Sequence, residues 1–382
     1  MSDDEDTWRL LRENYADLGE VGETVLPHEL RWRSRYQFLL SHGYRLRPRY
    51  SPDWVPSWKA HPSRLPLLFE DYWPCNEPYL IDATRKADGR YVCLKTVPMG
   101  CEELAIARYF SRPEVRADPR NHCVPLLDSF DDEENNISYM VMPLLRGSTD
   151  PPFLLVDDVI QFADQVLEGL AFMHEHFVAH RDIAMSNILM DGEPLYPDSW
   201  HPSRLGTKRD GSSRSIPIWR IASSERIKYY IVDFGMSVRI PPGTPRRVTG
   251  TAGADREAPE LSLDVPYDPF LTDVFILGNA LRKAIDKPYS RTEFLRPLIS
   301  AMVHPDPEAR PTAEKALHHW REVRKRISVF RRLSRLRKRD EDLPSALVLD
   351  IVTMYKICLI FAPRVLWRLV GWLQAQMRLM VV

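Results

Sequence analysis

Glycine is missing from one long stretch: none occurs between Gly43 and Gly89. Backbone amides approach a phosphate closely only where no Cβ stands in the way, so this stretch holds no glycine-rich phosphate cradle. Cysteine is equally sparse. Cys75, Cys93, Cys101, Cys123 and Cys358 lack CxxC spacing and an accompanying histidine cluster, which argues against a disulfide framework or a cysteine metal site and leaves reduced thiols as the expectation. Neither sign of charge is in excess. With 52 Lys and Arg against 53 Asp and Glu, composition offers no general attraction to nucleic acid. The amino terminus carries Asp3, Asp4, Glu5 and Asp6 with no apolar run behind a basic start, so no secretory signal is expected. No internal repeat is present. The expectation is an intracellular, cytoplasmic chain that is not secreted.

What is present suffices for a folded core: 382 residues with 44% hydrophobic content suit one two-lobed domain with extensions. Residues 1–66 mix Trp, Arg and Pro without sustained periodicity and read as an extension packed on the domain, or as a docking segment. Residues 67–145 read as short strands with a hairpin turn at Asp88-Gly89 and a helix over Glu102–Phe110. From Val156 to His176 apolar residues recur at three- and four-residue spacing, which predicts a long helix and begins a helical part running over 146–320. Residues 191–228, rich in Pro, Ser and Arg, read as a long inserted loop. The fold class expected is α+β, a small β-rich lobe followed by a larger helical lobe with a cleft between them.

Four requirements define phosphoryl transfer from a nucleotide: cations for the phosphates, oxygen ligands for Mg²⁺, a carboxylate for the attacking hydroxyl, and a frame. The chain supplies candidates in order. Lys95 ends the apolar run Tyr91-Val92-Cys93-Leu94, and Glu102 and Glu103 open the next helix. His180-Arg181-Asp182-Ile183-Ala184-Met185-Ser186-Asn187 follows the long helix. Tyr229-Tyr230-Ile231-Val232 then delivers Asp233-Phe234-Gly235, and Glu257-Ala258-Pro259-Glu260 lies downstream. This series resembles the eukaryotic protein kinase superfamily, whose two-lobed fold it would share. Over residues 67–320 it is also similar to the kinase-like families expanded in mushroom-forming fungi, a likeness that adds no substrate.

The resemblance implies ATP and Mg²⁺ as cofactors and a protein substrate. It implies that Asp182 aligns the acceptor hydroxyl, that Asn187 and Asp233 hold Mg²⁺, and that Lys95 contacts the phosphates. Glu103 best fits the lysine's carboxylate partner, with Glu102 still open. Arg181 would pair with a phosphate on the activation segment, where Thr244, Thr249 and Thr251 lie and Thr249 and Thr251 are the candidate phosphosites. His180, Phe234, Gly235, Glu260, Asp273 and Arg310 are expected as structural support, with Asp273 bracing the catalytic loop and Arg310 pairing with Glu260.

Three features depart from the pattern. The glycine-rich loop expected before Lys95 is absent, so a segment such as Cys75 to Ile81 would have to cover the nucleotide. Ala184 leaves the acceptor open between Ser/Thr and Tyr, with Ser/Thr favoured. The insert at 191–228 binds a partner or simply loops out. An active kinase is the leading reading, a scaffold pseudokinase the alternative, and a small-molecule kinase is disfavoured because both Asp-Phe-Gly and Ala-Pro-Glu are present.

Residues 321–342 form a basic linker and 343–382 an apolar tail interrupted by Asp350, Lys356, Pro363, Arg364 and Arg368. Such a pair suits interfacial attachment to an anionic membrane better than a span. The alternative is a helix whose Ile351, Tyr355, Leu359, Leu366 and Trp367 cover a groove on the domain.

Overall fold

The computed structural model describes residues 24–75, 77–223 and 225–359. An antiparallel sheet of five strands forms the first lobe: β1 Tyr44–Leu46, β2 Leu80–Arg85, β3 Tyr91–Pro98, β4 Asp128–Asp132 and β5 Ile137–Pro143, in the order β1-β2-β3-β5-β4. Alternation explains β3. Val92 and Leu94 point into the lobe's core, and Cys93 and Lys95 point the other way, toward the cleft. The turn into β3 uses Gly89 at φ 73°, as the Asp88-Gly89 pair predicts.

Tyr44–Leu46 pairs with Ala83–Arg85, so the lobe begins upstream of residue 67. Ahead of that strand, helices α1 (Leu30–Ser34) and α2 (Tyr36–Ser41) lay Trp32 and Leu39, both fully buried, against Leu46, Val92, Leu94 and Tyr139. Burial of each side chain is worth about 1.5–3 kcal/mol, so this part of the chain is lobe core rather than an appendage. Of the extension expected over residues 1–66, residues 1–23 lie outside the described residues.

Helix α3 (Glu102–Phe110) packs beneath the sheet by Leu104, Ile106, Ala107 and Phe110. The second lobe is built on α4 (Val156–Glu175), which carries the expected apolar stripe, and on α5 (Pro269–Leu281), buried along almost its whole length. Two further helices, α6 (Arg296–Met302) and α7 (Ala313–Lys325), complete it, with Trp320 of α7 fully buried and bonded to Asp164. Gly169 of α4 lets two segments approach: a Cβ there would lie 2.8 Å from the His122 side chain and 2.9 Å from Ile231. Short strands β6 (Arg146–Gly147), β8 (Ile188–Met190) and β9 (Tyr229–Ile231) form a second sheet under the cleft, and β7 (Val178–Ala179) pairs with β10 (Val238–Arg239). Beyond them β11 (Val248–Gly250) pairs with β12 (Ser262–Tyr267).

The basic stretch differs from expectation. Residues Arg321 to Lys325 finish α7, and Arg321, Arg324, Arg332, Arg335 and Arg337 each pair with a carboxylate of the chain. Charge expected to face an anionic surface is thus compensated internally. Residues 343–359 are helical and bury Ala346, Thr353 and Ile357, while Asp350 joins Arg291, Arg335 and Arg337. The groove-covering expectation is corrected here: Ile351, Tyr355 and Leu359 are 70%, 63% and 53% exposed, because the packed stripe lies on the opposite face. Leu366 and Trp367 lie outside the described residues.

Candidate active site

Strand alternation and a helix start bring the first charges together. Lys95 Nζ donates to Glu103 Oε1 at 2.5 Å and to Asp233 Oδ1 at 2.8 Å. Glu103 is therefore the partner, and Glu102, one position earlier, is exposed. Burial works against the Lys95 ammonium, but Glu103 and Asp233 outweigh it and raise its pKa. Burial likewise raises the Asp233 carboxyl, and the Lys95 ammonium reverses this and holds it below its ordinary value. Both charges persist at neutral pH.

The catalytic-loop residues are gathered by one buried carboxylate. Asp273, on α5 and fully buried, accepts from the backbone N–H groups of His180 at 2.7 Å and Arg181 at 2.6 Å, and from His174 Nε2 at 2.9 Å. Arg181 sits at φ 67° and Asp233 at φ 65°, left-handed conformations that side chains other than glycine seldom adopt. Tertiary contacts hold this strain at the two loops that present Asp182 and Asp233. His180 is wholly buried, which lowers its pKa and keeps it neutral. Its partners assign the tautomer: Nδ1 accepts from the Asp182 N–H at 3.2 Å, so Nε2 carries the proton given to the Val232 carbonyl at 3.0 Å.

Asp182 is fixed from both sides. Asn187 Nδ2 donates to its Oδ2 at 2.9 Å, and the Ala254 N–H donates to its Oδ1 at 2.7 Å. A carboxylate offers about four acceptor positions, so each oxygen keeps room for a second donor. Phe234 is buried in an aromatic column, 5.9 Å from the His180 ring and 6.0 Å from that of Phe110 on α3. The Gly235 N–H donates to Asp233 Oδ1 at 3.2 Å. Farther out, Arg310 clasps Glu260 through two bonds of 2.6 and 2.8 Å. Thr249 is exposed, and Arg181 donates to its carbonyl at 2.8 Å, whereas Thr251 is half-buried.

Lys95, Glu103, Asn187, Asp233 and Phe234 line a cleft of about 730 Å³ between the lobes. Met142, Pro143, Leu144 and Leu145 form its back wall, Leu189 and Val232 its floor, and Glu77, Tyr79 and Leu80 its roof. Glu77 and Tyr79 come from the β1–β2 connection, 33 residues long (47 to 79), where the glycine-rich loop was expected, and Leu80 opens β2 directly after it. That connection is braced. Cys75 N–H donates to the Tyr50 hydroxyl at 2.9 Å, His28 Nε2 meets the Cys75 carbonyl at 2.7 Å, and Arg31 donates to the Pro78 carbonyl at 2.9 Å.

The donor set fits a hard divalent ion held jointly with a nucleotide. Asn187 uses its nitrogen on Asp182, which leaves its carbonyl oxygen, and Asp233 uses Oδ1 on Lys95 and Gly235, which leaves Oδ2. Among the described residues no three His, Cys, Asp or Glu are grouped to hold a metal alone. Magnesium commonly takes one or two protein oxygens and completes its shell with phosphate and water.

The protein kinase domain profile matches residues 82–283. The chain belongs to the protein kinase domain family. Among known proteins, the human liver/testis phosphorylase b kinase gamma catalytic chain is 24% identical over 237 residues, 52% of this chain and 49% of its own length. The type 1 calcium/calmodulin-dependent protein kinase of Caenorhabditis elegans is 25% identical over 232 residues, with coverages of 52% and 57%. A probable myosin light chain kinase of Dictyostelium discoideum is 23% identical over 270 residues, with coverages of 62% and 61%. This kinase domain thus spans between 49% and 61% of the length of these relatives. The match opens at Asp82, so β1 and its long connection lie outside the matched residues.

Sequence reasoning placed Lys95, Glu103, His180, Asp182, Asn187, Asp233 and Phe234 in one region, and the fold brings them together there. It missed Phe110, whose helical spacing marks only a core position. It also missed the Ala254 contact, which no local signal announces.

Proposed function

We propose that this kinase domain transfers the γ-phosphoryl group of Mg-ATP to a protein hydroxyl, with serine or threonine favoured over tyrosine. The observation that carries the reading is the meeting of Lys95, Asn187 and Asp233 in one interlobe cleft, with Asp182 hydrogen-bonded to Asn187. Mg-ATP bound there would bring the phosphoryl group and a divalent counter-charge. Lys95, pinned by Glu103, is placed to meet phosphate oxygens, and Asn187 and Asp233 are placed to hold the metal. Asp182, oriented by Asn187 and Ala254, is placed to align the acceptor hydroxyl and take its proton. A protein acceptor is supported by the relatives named for phosphorylase b and myosin light chain.

The test is transfer from labelled Mg-ATP to the chain itself and to generic protein substrates. The wild type is expected to transfer, and Asp182→Asn to lose about 10²–10⁴-fold while still showing an ATP-induced thermal shift. Lys95→Met loses both transfer and shift. Equal background in all three, with no shift in the wild type, would instead support the scaffold reading, which the replaced glycine-rich loop motivates.

A second proposal concerns residues 343–359. Leu343, Leu347, Val348, Ile351, Met354 and Tyr355 are each more than half exposed on one helix, an unusual density of apolar surface. We propose that this face rests in a phospholipid interface, held by apolar contact rather than by the compensated basic stretch. Among the described residues no helix is long and apolar enough to cross a membrane.

A further inference from the structure

Two long insertions meet on the roof of the cleft. One is the β1–β2 connection, residues 47–79, and the other is the segment 191–228, which leaves the catalytic-loop strand β8 and returns in β9. The second is rooted in the helical lobe. Trp200 is buried there, and Arg146 lies 4.0 Å over the Tyr196 ring and donates to the Leu205 carbonyl at 2.9 Å. From that root it reaches the other lobe and places Arg209 against Asp82 of β2, with the guanidinium 4.4 Å over the ring of Tyr91 on β3.

Asp82 is the centre of a buried charge cluster. Arg47 donates to it at 3.0 Å, Arg209 Nε lies 3.5 Å from Glu70 Oε1, and His201 Nε2 stands 3.2 Å from Arg47 and 3.1 Å from the Glu70 carbonyl. Asp82, Arg47 and His201 are at most 5% exposed and Arg209 is 9% exposed, so water does not screen the pairing. The strand register puts this cluster beside the cleft on the same face of the sheet: Asp82 pairs with Cys93 and Leu80 with Lys95, and Leu80, Cys93 and Lys95 line the nucleotide space. A cavity of about 250 Å³ beside it is lined jointly by Cys75, Glu77 and Leu80 of the roof and by Pro202 and Ser203 of the insert.

A glycine-rich loop positions phosphates with its own backbone, and the roof here has no glycine with which to do so. Its placement over the cleft rests on side-chain bracing, from Tyr50, His28 and Arg31 within its own lobe and from the insert of the other lobe. We infer that the 191–228 insert is a strap between the lobes, and that Arg209, through Asp82, is a positioning residue that sets the roof of the nucleotide site. Arg209 touches no cleft surface and takes no part in phosphoryl transfer. The inference rests on reading the cleft as a nucleotide site.

The test compares the full wild-type chain with Arg209→Met, Arg209→Lys and, as a control for lost buried pairing, Arg335→Met. Nucleotide affinity is read by titration with Mg-ADP, kinetics by KM for ATP and kcat, and roof mobility by amide hydrogen exchange of residues 77–82 without nucleotide. Arg209→Met is expected to weaken Mg-ADP and raise KM about tenfold, to change kcat less than about threefold, and to speed exchange of the roof. Arg209→Lys, which keeps the cation and loses the planar fork, should fall between it and the wild type. Arg335→Met should lower thermal stability and leave Mg-ADP affinity unchanged.

Wild-type affinity and wild-type roof exchange in both Arg209 variants would overturn the inference, as would an equal loss of affinity in Arg335→Met. Should Arg209→Met not fold, the same two readings on Arg209→Lys decide. If the wild type binds no Mg-ADP, the nucleotide reading falls, and the exchange of residues 77–82 still decides the strap.

Discussion

The backbone N–H of Ala254 rests on Oδ1 of Asp182 at 2.7 Å, so the activation segment itself orients the proposed base. Gly253 permits the contact: it sits at φ 123°, and a Cβ there would lie 3.1 Å from the same carboxylate oxygen. A side chain would strain the backbone and crowd Asp182. Gly253→Ala is therefore expected to lower kcat about tenfold, equal to about 1.4 kcal/mol in the barrier. KM for ATP should not move, because Lys95 and the roof are untouched. Steady-state kinetics check this, and an unchanged kcat would show that Ala254 does not orient the base.

Arg181 points toward the same segment. Its Nε is buried with no hydrogen-bond partner, while the same guanidinium donates to the Thr249 carbonyl at 2.8 Å. An orphaned donor beside an exposed threonine is a receptive place for a phosphate, whose oxygens would satisfy it. Phosphate on Thr249 is expected to raise transfer, with Thr251 the weaker candidate because it is half-buried. Mass spectrometry and activity of Thr249→Ala and Thr251→Ala decide the matter. Unchanged phosphate content and activity in both variants would remove this role.

The charge cluster behind the roof carries a pH signature. Burial and the neighbouring Arg47 push the His201 imidazole down to about 3, while Glu70, Asp82 and Arg209 complete its surroundings. The unfolded chain, with an ordinary imidazole near 6.5, binds this proton more readily than the folded one. Stability is thus fully present above about pH 6.5 and is lost as the pH falls toward 3. Between pH 7.5 and 5 the loss from this group is about 2 kcal/mol. Urea unfolding at the two values should show a smaller loss for His201→Gln. Burial also lowers the pKa of His180, so part of the acid sensitivity remains in both proteins. An identical loss in the variant would sink the assignment.

The terminal helix makes a separate prediction. Leu347→Ser, Ile351→Ser and Tyr355→Ser together alter only exposed positions, so the fold should keep its melting temperature. Binding to vesicles of phosphatidylcholine with phosphatidylserine is expected to fall at least about tenfold, and to depend weakly on salt because the basic stretch is compensated. Vesicle binding equal to the wild type would end the interfacial proposal.

The sequence alone determined the chemical inventory and the order in which it is strung. Lys95, Asp182, Asn187 and Asp233 stand in short local patterns, since each must be presented by a strand end or a tight loop, and such elements leave a local signature. The helix Val156–Glu175 and the Asp88-Gly89 hairpin were legible for the same reason. Tertiary structure decided the rest. It chose Glu103 over Glu102 by the direction of one helix face, and it made Tyr44–Leu46 part of the sheet by pairing it with a strand more than 30 residues away. It compensated the basic stretch with carboxylates of α4, a helix distant in sequence. It also turned an apparent surface loop into a strap, because Arg209 and Asp82 lie 127 residues apart and only the folded chain excludes water from between them. Local patterns record what a residue can do, whereas burial and pairing across such separations exist only once the chain has closed on itself.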